Sequence, residues 1–106
     1  MLIDAENVRR SRWPNLSREE LVERARAWAA ANAHDLLVVF DGQAPEDAPD
    51  IVVAPSADDW LAAHAAEYEP YWLVTSDREL RRRAGGRAER VVGGGAFLRE
   101  LLAAYG

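Results

Sequence analysis

The chain has 106 residues and a formal net charge of −5, and it contains neither cysteine nor lysine. A chain of this length predicts one domain, residues 1–106, that buries about two-thirds of its unfolded surface. The missing residue types exclude disulfides, thiolate metal sites, Walker-type phosphate loops and Schiff-base chemistry. Asp4 and Glu6 interrupt any signal peptide, and no apolar run approaches the ~18 residues that cross a bilayer, so we expect a soluble cytoplasmic protein without membrane contact.

The charges are distributed unevenly along the chain. Residues 1–34 carry six arginines and five acids, residues 35–70 carry nine acids and no arginine, and residues 71–106 carry seven arginines and four acids. This pattern excludes a uniformly basic nucleic-acid binder, but it allows an arginine-rich surface beside an acidic site. A solvated mixed surface with an acidic loop would produce the same pattern.

The first half of the chain predicts three strands and one helix. Apolar runs at residues 1–4, 36–40 and 51–54 have the length of strands. A loop is expected at residues 9–16. Ser17, followed three residues later by a glutamate, has the spacing of a capping box and predicts the start of a helix with one buried face.

The second half continues the alternation of helices and strands. Ser56 predicts the start of a helix whose apolar face includes His64, which we expect to be a core residue. Residues 71–75 and 90–92 predict two further strands.

Asp77 is expected at the start of a short arginine-rich helix. The triple glycine at residues 93–95 precedes the last helix, and a sharp turn explains it better than an anion site does, because no phosphate-loop motif surrounds it. Strands that alternate with helices predict an α/β domain with a parallel sheet covered on both faces.

Aspartates follow four successive predicted strands. Asp4 ends the first strand, Asp41 ends the second, Asp58 and Asp59 open the helix after the third, and Asp77 follows the fourth. In open parallel sheets the carboxyl ends of the strands share one edge, where active sites form. Carboxylates suit Mg²⁺ or Mn²⁺, which lower the pKa of an attacking water and stabilise phosphoryl transition states.

Each acid also has a structural explanation. Asp41 precedes a glycine in an ordinary turn dipeptide. Asp58 and Asp59 lie where the first turn of a helix favours acids, and Asp77 is a possible helix cap. The convergence of four such residues on one edge is what favours a functional site.

Three stretches of the sequence resemble a known family. They are D-A-E-N-V at residues 4–8, S-A-D-D-W at residues 56–60 and V-T-S-D-R-E-L at residues 74–80. They are similar to the signature blocks of the YacP-like NYN branch of the PIN-like nucleases. The resemblance implies a PIN-like, Rossmann-like sheet of about five strands in the order 3-2-1-4-5, with Mg²⁺- or Mn²⁺-dependent cleavage of RNA.

The resemblance also implies roles for individual residues. It makes Asp4, Asp58 and Asp77 catalytic, metal-binding carboxylates and Asn7 a polar helper. Further candidates in or next to the matching blocks and at the second strand end are Asp59 as an additional ligand and Glu6, Asp41 and Ser76 as accessory residues. Relatives often have glycine where this chain has Ala5, and a further acid near Leu61 and Ala62, so the site is recomposed here.

Arginines are the candidate RNA contacts, because a guanidinium matches phosphate geometry. The candidates are Arg9, Arg10, Arg12, Arg78, Arg81, Arg82 and Arg83. The alternative for the last group is a solvated helix face on which Glu79 pairs with Arg83. Trp13 is either a stacking surface for an unpaired base or a packed anchor of its loop.

The resulting functional prediction is a metal-dependent ribonuclease that acts on RNA. Two alternatives stay open at this point. One is a catalytically weak PIN-like module that binds RNA or a protein, which the missing acid near Ala62 favours. The other is a phosphohydrolase of small nucleotides that uses the same acids. The sequence indicates neither the RNA target nor the oligomeric state.

Overall fold

A five-stranded parallel sheet forms the centre of the molecule. The computed structural model describes the backbone of residues 1–105 and the side chains of residues 1–103. The strands are β1 (Leu2–Asp4), β2 (Leu37–Asp41), β3 (Ile51–Ala54), β4 (Trp72–Val74) and β5 (Arg90–Val92). Their order is β3-β2-β1-β4-β5, and all four neighbouring pairs are parallel. The predicted fold class and strand order are confirmed.

Five helices accompany the strands, four of them between strands and one after the last strand. They are α1 (Ala5–Arg9), α2 (Arg18–Ala31), α3 (Ala57–His64), α4 (Arg78–Ala84) and α5 (Gly94–Tyr105), and a 3₁₀ turn (Ala65–Tyr68) follows α3. The sequence did not predict α1, and Arg9, assigned to a loop, is its last residue. None of the helices within the described backbone combines the length and apolar character needed to cross a bilayer.

Polar side chains fix the starts of three helices as the sequence predicted. The Ser17 hydroxyl accepts a hydrogen bond from the backbone of Glu20 (3.1 Å), the Ser56 hydroxyl accepts one from Asp59 (3.2 Å), and the Asp77 carboxylate accepts one from Leu80 (3.0 Å). Each bond satisfies one of the backbone N–H groups that a helix start leaves without a partner. Because α3 and α4 both begin directly behind strand ends, these caps place their first turns at one edge of the sheet.

Helices cover both faces of the sheet, and successive residues of a strand point to opposite faces. Ile3 packs with the apolar faces of α1, α2 and α5, and its neighbour Leu2 packs with those of α3 and α4. Since both faces of the central strand are covered, residues at its carboxyl end are held in position by two cores.

Candidate active site

The carboxyl ends of the central strands open into a cavity of about 560 Å³. Its lining residues are mostly polar and come from five segments of the chain: Asp4, Glu6, Asn7, Arg10, Ser11, Asp41, Asp58, Ser76, Asp77 and Gly95. Asp4 and Asp41 are the last residues of β1 and β2, and Asp77 precedes α4. The structure therefore brings together four of the five aspartates that the sequence singled out.

Asp4 is the buried member of this group, with only 4% of its surface exposed. The Thr75 hydroxyl donates a hydrogen bond to Asp4 Oδ2 at 2.8 Å. Burial raises the pKa of Asp4 to about 6; the Thr75 bond opposes the rise, and the charges of three further cavity aspartates add to it. The ionised carboxylate of Asp4 is therefore not compensated by a positive charge of the described residues.

Asp41 and Asp77 serve as helix caps and also line the cavity. The backbone of Ala57 donates to Asp41 Oδ1 at 2.5 Å, and the backbone of Leu80 donates to Asp77 Oδ1 at 3.0 Å. The sequence predicted this capping role for Asp77, whereas it explained Asp41 only as part of a turn dipeptide. Each bond accounts for one oxygen of its carboxylate. Among the described residues the second oxygen of each has no hydrogen-bond partner.

Asp58 and its neighbour Asp59 have different environments. Burial raises the pKa of Asp58, the charges of Asp77 and Asp41 add to the rise, and Arg83 opposes it. Asp59, also predicted as a metal ligand, does not line the cavity and instead pairs with Arg83 at 2.8 Å. The structure thus separates two adjacent acids into one cavity residue and one surface ion pair.

Glu6 lines the cavity, but three arginines bind its carboxylate. Arg9 donates to it at 2.6 Å and Arg18 at 2.9 Å, and Arg10 lies 3.7 Å away. The Arg9 hydrogen bond is the main reason that the pKa of Glu6 is lowered. This carboxylate is committed to the protein's own cations, so it organises the cavity wall.

An amide connects three loops at the rim of the cavity. Asn7 Oδ1 accepts a hydrogen bond from the backbone of Ser76 at 2.8 Å, and the Ser76 hydroxyl accepts one from the backbone of Gly94 at 2.8 Å. A Cβ at Gly94 would lie 2.4 Å from Asn7 Oδ1, so only glycine allows this approach. Sequence reasoning missed Gly94 and also Thr75, although Thr75 lies inside a signature block.

The predicted RNA-contacting arginines fall into different environments. Arg10 lines the cavity with 62% of its side chain exposed, and Arg12 is exposed. The Arg9 side chain is only 13% exposed and pairs with Glu6.

Four further arginine candidates lie on α4, and all are exposed: Arg78, Arg81, Arg82 and Arg83. Arg81 donates from Nε to the carbonyl of Thr75 at 2.9 Å. Glu79 pairs with Arg82, so the expected pairing of Glu79 with Arg83 is wrong. None of the four α4 arginines lines the cavity.

Two aromatic expectations need correction. His64 is not a core residue: 43% of its side chain is exposed, its ring stacks on Trp60 and Nδ1 lies 2.6 Å from Glu67. Of the two alternatives for Trp13, the packed anchor is wrong, because 85% of this residue is exposed.

The donor set suits one type of metal ion. Within residues 1–103, no group of three or more acidic or histidine side chains is arranged so that it could hold a metal ion. Mg²⁺ does not require such a shell, because it keeps several waters and takes one or two carboxylates together with substrate phosphates. Asp4, Asp58 and Asp77 line the cavity and keep carboxylate oxygens without an internal hydrogen bond among the described residues, so one or two of them at a time could take a hydrated cation of this kind.

Comparisons with known proteins agree with this architecture. No family model matches the chain, and no curated protein sequence matches it. Among solved structures, the crystal structure of Rae1 (YacP) from Bacillus subtilis, in a W164L mutant, superposes with a TM-score of 0.77 over 96% of this chain and 73% of that one. The two sequences are 20% identical, so the likeness shows a shared fold.

Proposed function

We propose that this protein is a Mg²⁺- or Mn²⁺-dependent ribonuclease that hydrolyses phosphodiester bonds in its carboxylate-lined cavity. The observation that carries the proposal is the meeting of four aspartates in one cavity, two from the ends of β1 and β2 and two from the starts of α3 and α4, with none of them in an ion pair with an arginine of the described residues. The resemblance of the three sequence blocks to YacP-like NYN nucleases, and the fold shared with Rae1 (YacP), support the same reaction class.

Asp4, Asp58 and Asp77 would hold the cation. Thr75 orients the Asp4 carboxylate, and the helix-capping bond fixes Asp77, so both carboxylates are positioned before a cation arrives. Positive charge in the cavity favours the ionised form of Asp4, whose pKa burial raises to about 6. When bound, the cation supplies Lewis-acid activation of water and neutralises charge on the phosphate.

Arg10 provides the substrate contact nearest to the acids. It is the exposed cation of the cavity wall, and a guanidinium binds a phosphate through two parallel hydrogen bonds. An acidic cavity repels the RNA backbone unless a cation and an arginine compensate. This balance of charge explains why acids and an exposed arginine share one cavity.

The substitution Asp77→Asn tests the proposal. Asparagine caps a helix about as well as aspartate, so the fold should persist. We expect the wild type to cleave RNA only with Mn²⁺ or Mg²⁺, and Asp77→Asn to lose at least ~100-fold in rate. The matched control is Asp47→Asn, which neutralises an exposed acid outside the cavity and should cleave like the wild type.

Product analysis separates the remaining possibilities. Hydrolysis of free nucleotides but not of RNA would identify a small-nucleotide phosphohydrolase. RNA binding without cleavage would identify a non-catalytic RNA-binding module. The second outcome has a structural argument in its favour, because the acid that relatives carry near Ala62 is missing and no three acids of the described residues are arranged to hold a metal ion. Full metal-dependent cleavage by Asp77→Asn would contradict the assignment of Asp77.

A further inference from the structure

An exposed indole lies close to the carboxylate cavity. Trp13 is 85% exposed, the highest value among the exposed large apolar side chains of the described part of the chain. Within those residues, no aromatic ring stacks on it and no arginine covers it. A tryptophan usually buries 150–250 Å², so the folding of this chain does not account for its position.

The loop that carries Trp13 is closed at its base. The backbone of Leu16 donates to the carbonyl of Arg9 at 3.2 Å, and Arg9 Nη1 donates back to the carbonyl of Leu16 at 3.0 Å. Arg9 is in turn held by Glu6 at 2.6 Å. Because these bonds fix both ends of the loop, a ligand that binds Trp13 has less conformational entropy to overcome.

The same loop forms part of the cavity wall. Arg10 and Ser11 line the cavity, and Ser11 is fixed by a 2.6 Å hydrogen bond to the carbonyl of Asn7. Two residues span at most about 7 Å, so the backbone of Trp13 lies at the rim. Residues 10–16 contain two arginines and no acid, so the surroundings of the indole attract a polyanion.

We propose, resting on the ribonuclease function, that residues 10–16 form a base-stacking subsite that makes unpaired RNA the substrate. Trp13 stacks on a base next to the cleaved bond, and Arg10 and Arg12 contact the phosphates on either side of it. The faces of bases inside a duplex are covered by their neighbours, so an indole can stack only on an unpaired or terminal base. Residues 10–16 carry two arginines and no acid, so RNA is favoured over an apolar protein surface as the ligand of Trp13.

Binding of labelled 12-nucleotide RNA tests this subsite. Fluorescence anisotropy measures the Kd with Ca²⁺ in place of Mg²⁺ or Mn²⁺, because Ca²⁺ takes oxygen ligands and keeps the charge balance of the cavity. A gel after each titration verifies that the RNA is intact. Trp13→Ala should weaken binding of single-stranded RNA by roughly 5- to 150-fold, the range for loss of one base–aromatic stack, and Trp13→Phe should recover most of it. The matched control is Tyr68→Ala, which removes an exposed aromatic side chain outside the cavity and should bind like the wild type.

Two altered RNAs show whether stacking is the cause. On an RNA whose nucleotides are abasic, Trp13→Ala should bind as weakly as the wild type, because no base is present to stack. On fully duplexed RNA only the terminal bases can stack, so the difference between the two proteins should be much smaller than on single-stranded RNA. An effect of Trp13→Ala that is equally large on abasic RNA would overturn the stacking subsite.

Other outcomes separate this proposal from the ribonuclease function. Equal RNA affinities of Trp13→Ala and wild type, with metal-dependent cleavage intact, would overturn the subsite and leave the nuclease standing. If the wild type neither binds nor cleaves RNA, both proposals fail. If Trp13→Ala keeps its RNA affinity but converts a sedimenting dimer to a monomer, the indole belongs to a protein contact and the subsite is overturned.

Discussion

Asp4 combines a buried position with a charge that the protein leaves uncompensated. Its pKa is about 6 in the folded protein and 3.8 in its ordinary state, so the folded protein binds the proton more tightly than the unfolded chain does. The contribution of Asp4 to stability is therefore greatest below pH 3.8 and is lost as the pH rises towards 6. Without metal, the ionised group costs at most about 3 kcal/mol.

The substitution Asp4→Asn should remove this cost, because its carbonyl still accepts the Thr75 hydrogen bond. We compare the free energies of unfolding of Asp4→Asn and the wild type. The difference in favour of the variant should increase by about 2 kcal/mol between pH 4.5 and pH 7.5. Urea unfolding of both proteins in EDTA at the two pH values measures it. A difference that stays constant with pH would show that Asp4 titrates normally.

Gly94 makes a second prediction at the scale of single residues. Gly94→Ala places a methyl group 2.4 Å from Asn7 Oδ1, which must then release the backbone of Ser76. We expect a loss of about 1–3 kcal/mol in stability, measured by urea unfolding, together with slower cleavage. In Gly86→Ala, the matched control, the new Cβ meets nothing within 4 Å, so stability should be unchanged or slightly higher.

At the scale of secondary structure, the sequence predicted every strand to within one residue at each end. Apolar runs and capping serines carry that information locally. Helix α1 was missed because it has only five residues, of which Ala5 and Val8 are buried, and Asp4 makes no side-chain capping bond to it. Its conformation depends on packing against α2 and α5, and no local pattern encodes such contacts.

The candidate site was predictable to the extent that it follows from strand ends. Asp4, Asp41 and Asp77 end or follow strands, so a parallel sheet collects them at one edge. The separation of Asp58 from Asp59 was not predictable, because it depends on Arg83 of another helix. The exposure of His64 has a similar cause: α3 ends at this residue and the 3₁₀ turn changes the helical period.

The two arginine groups should differ in their contribution to RNA binding. Arg10 lines the cavity, whereas Arg82 and Arg83 of α4 pair with acids outside it. We expect Arg10→Ala combined with Arg12→Ala to reduce the slope of log K against log salt by about 1.4, at roughly 0.7 for each lost contact with single-stranded RNA.

The comparison is a triple alanine variant of Arg81, Arg82 and Arg83, which should reduce this slope by less per residue. Anisotropy titrations at about 50 to 200 mM salt measure the slopes of the double and the triple variant. A larger effect of the triple variant would place the phosphate-binding surface on α4.

At the scale of the whole molecule, the strand order separates the charges. The acidic segment 35–70 builds β2, β3 and α3 on one side of β1, and the arginine-rich segment 71–106 builds the other side. The cavity lies between them, at the carboxyl ends of the central strands. A polyanion is therefore attracted to the side of β4 and β5 and repelled from the opposite side.

Metal binding should stabilise the whole fold. A cation that binds only the folded protein raises the free energy of unfolding by about 2.7 kcal/mol at a hundredfold excess over its Kd. We expect Mn²⁺ to raise the Tm of the wild type and of Asp47→Asn equally, and that of Asp77→Asn much less. Thermal unfolding monitored by circular dichroism measures the three shifts, and equal shifts would exclude Asp77 as a ligand.

The hydrogen bond between Thr75 and Asp4 joins residues that are 71 positions apart in the sequence. This large separation affects the kinetics of folding. Contacts of such high sequence separation form late and slow the folding of a chain, since a long loop must close before they contribute. A partly folded chain that has paired β1 with β2 and β2 with β3 already holds Asp4 and Asp41, but it has not yet docked β4 or positioned Asp77. If the cavity binds a cation as proposed, cation capture is a late event in folding, and it reports that the last half of the sheet has assembled.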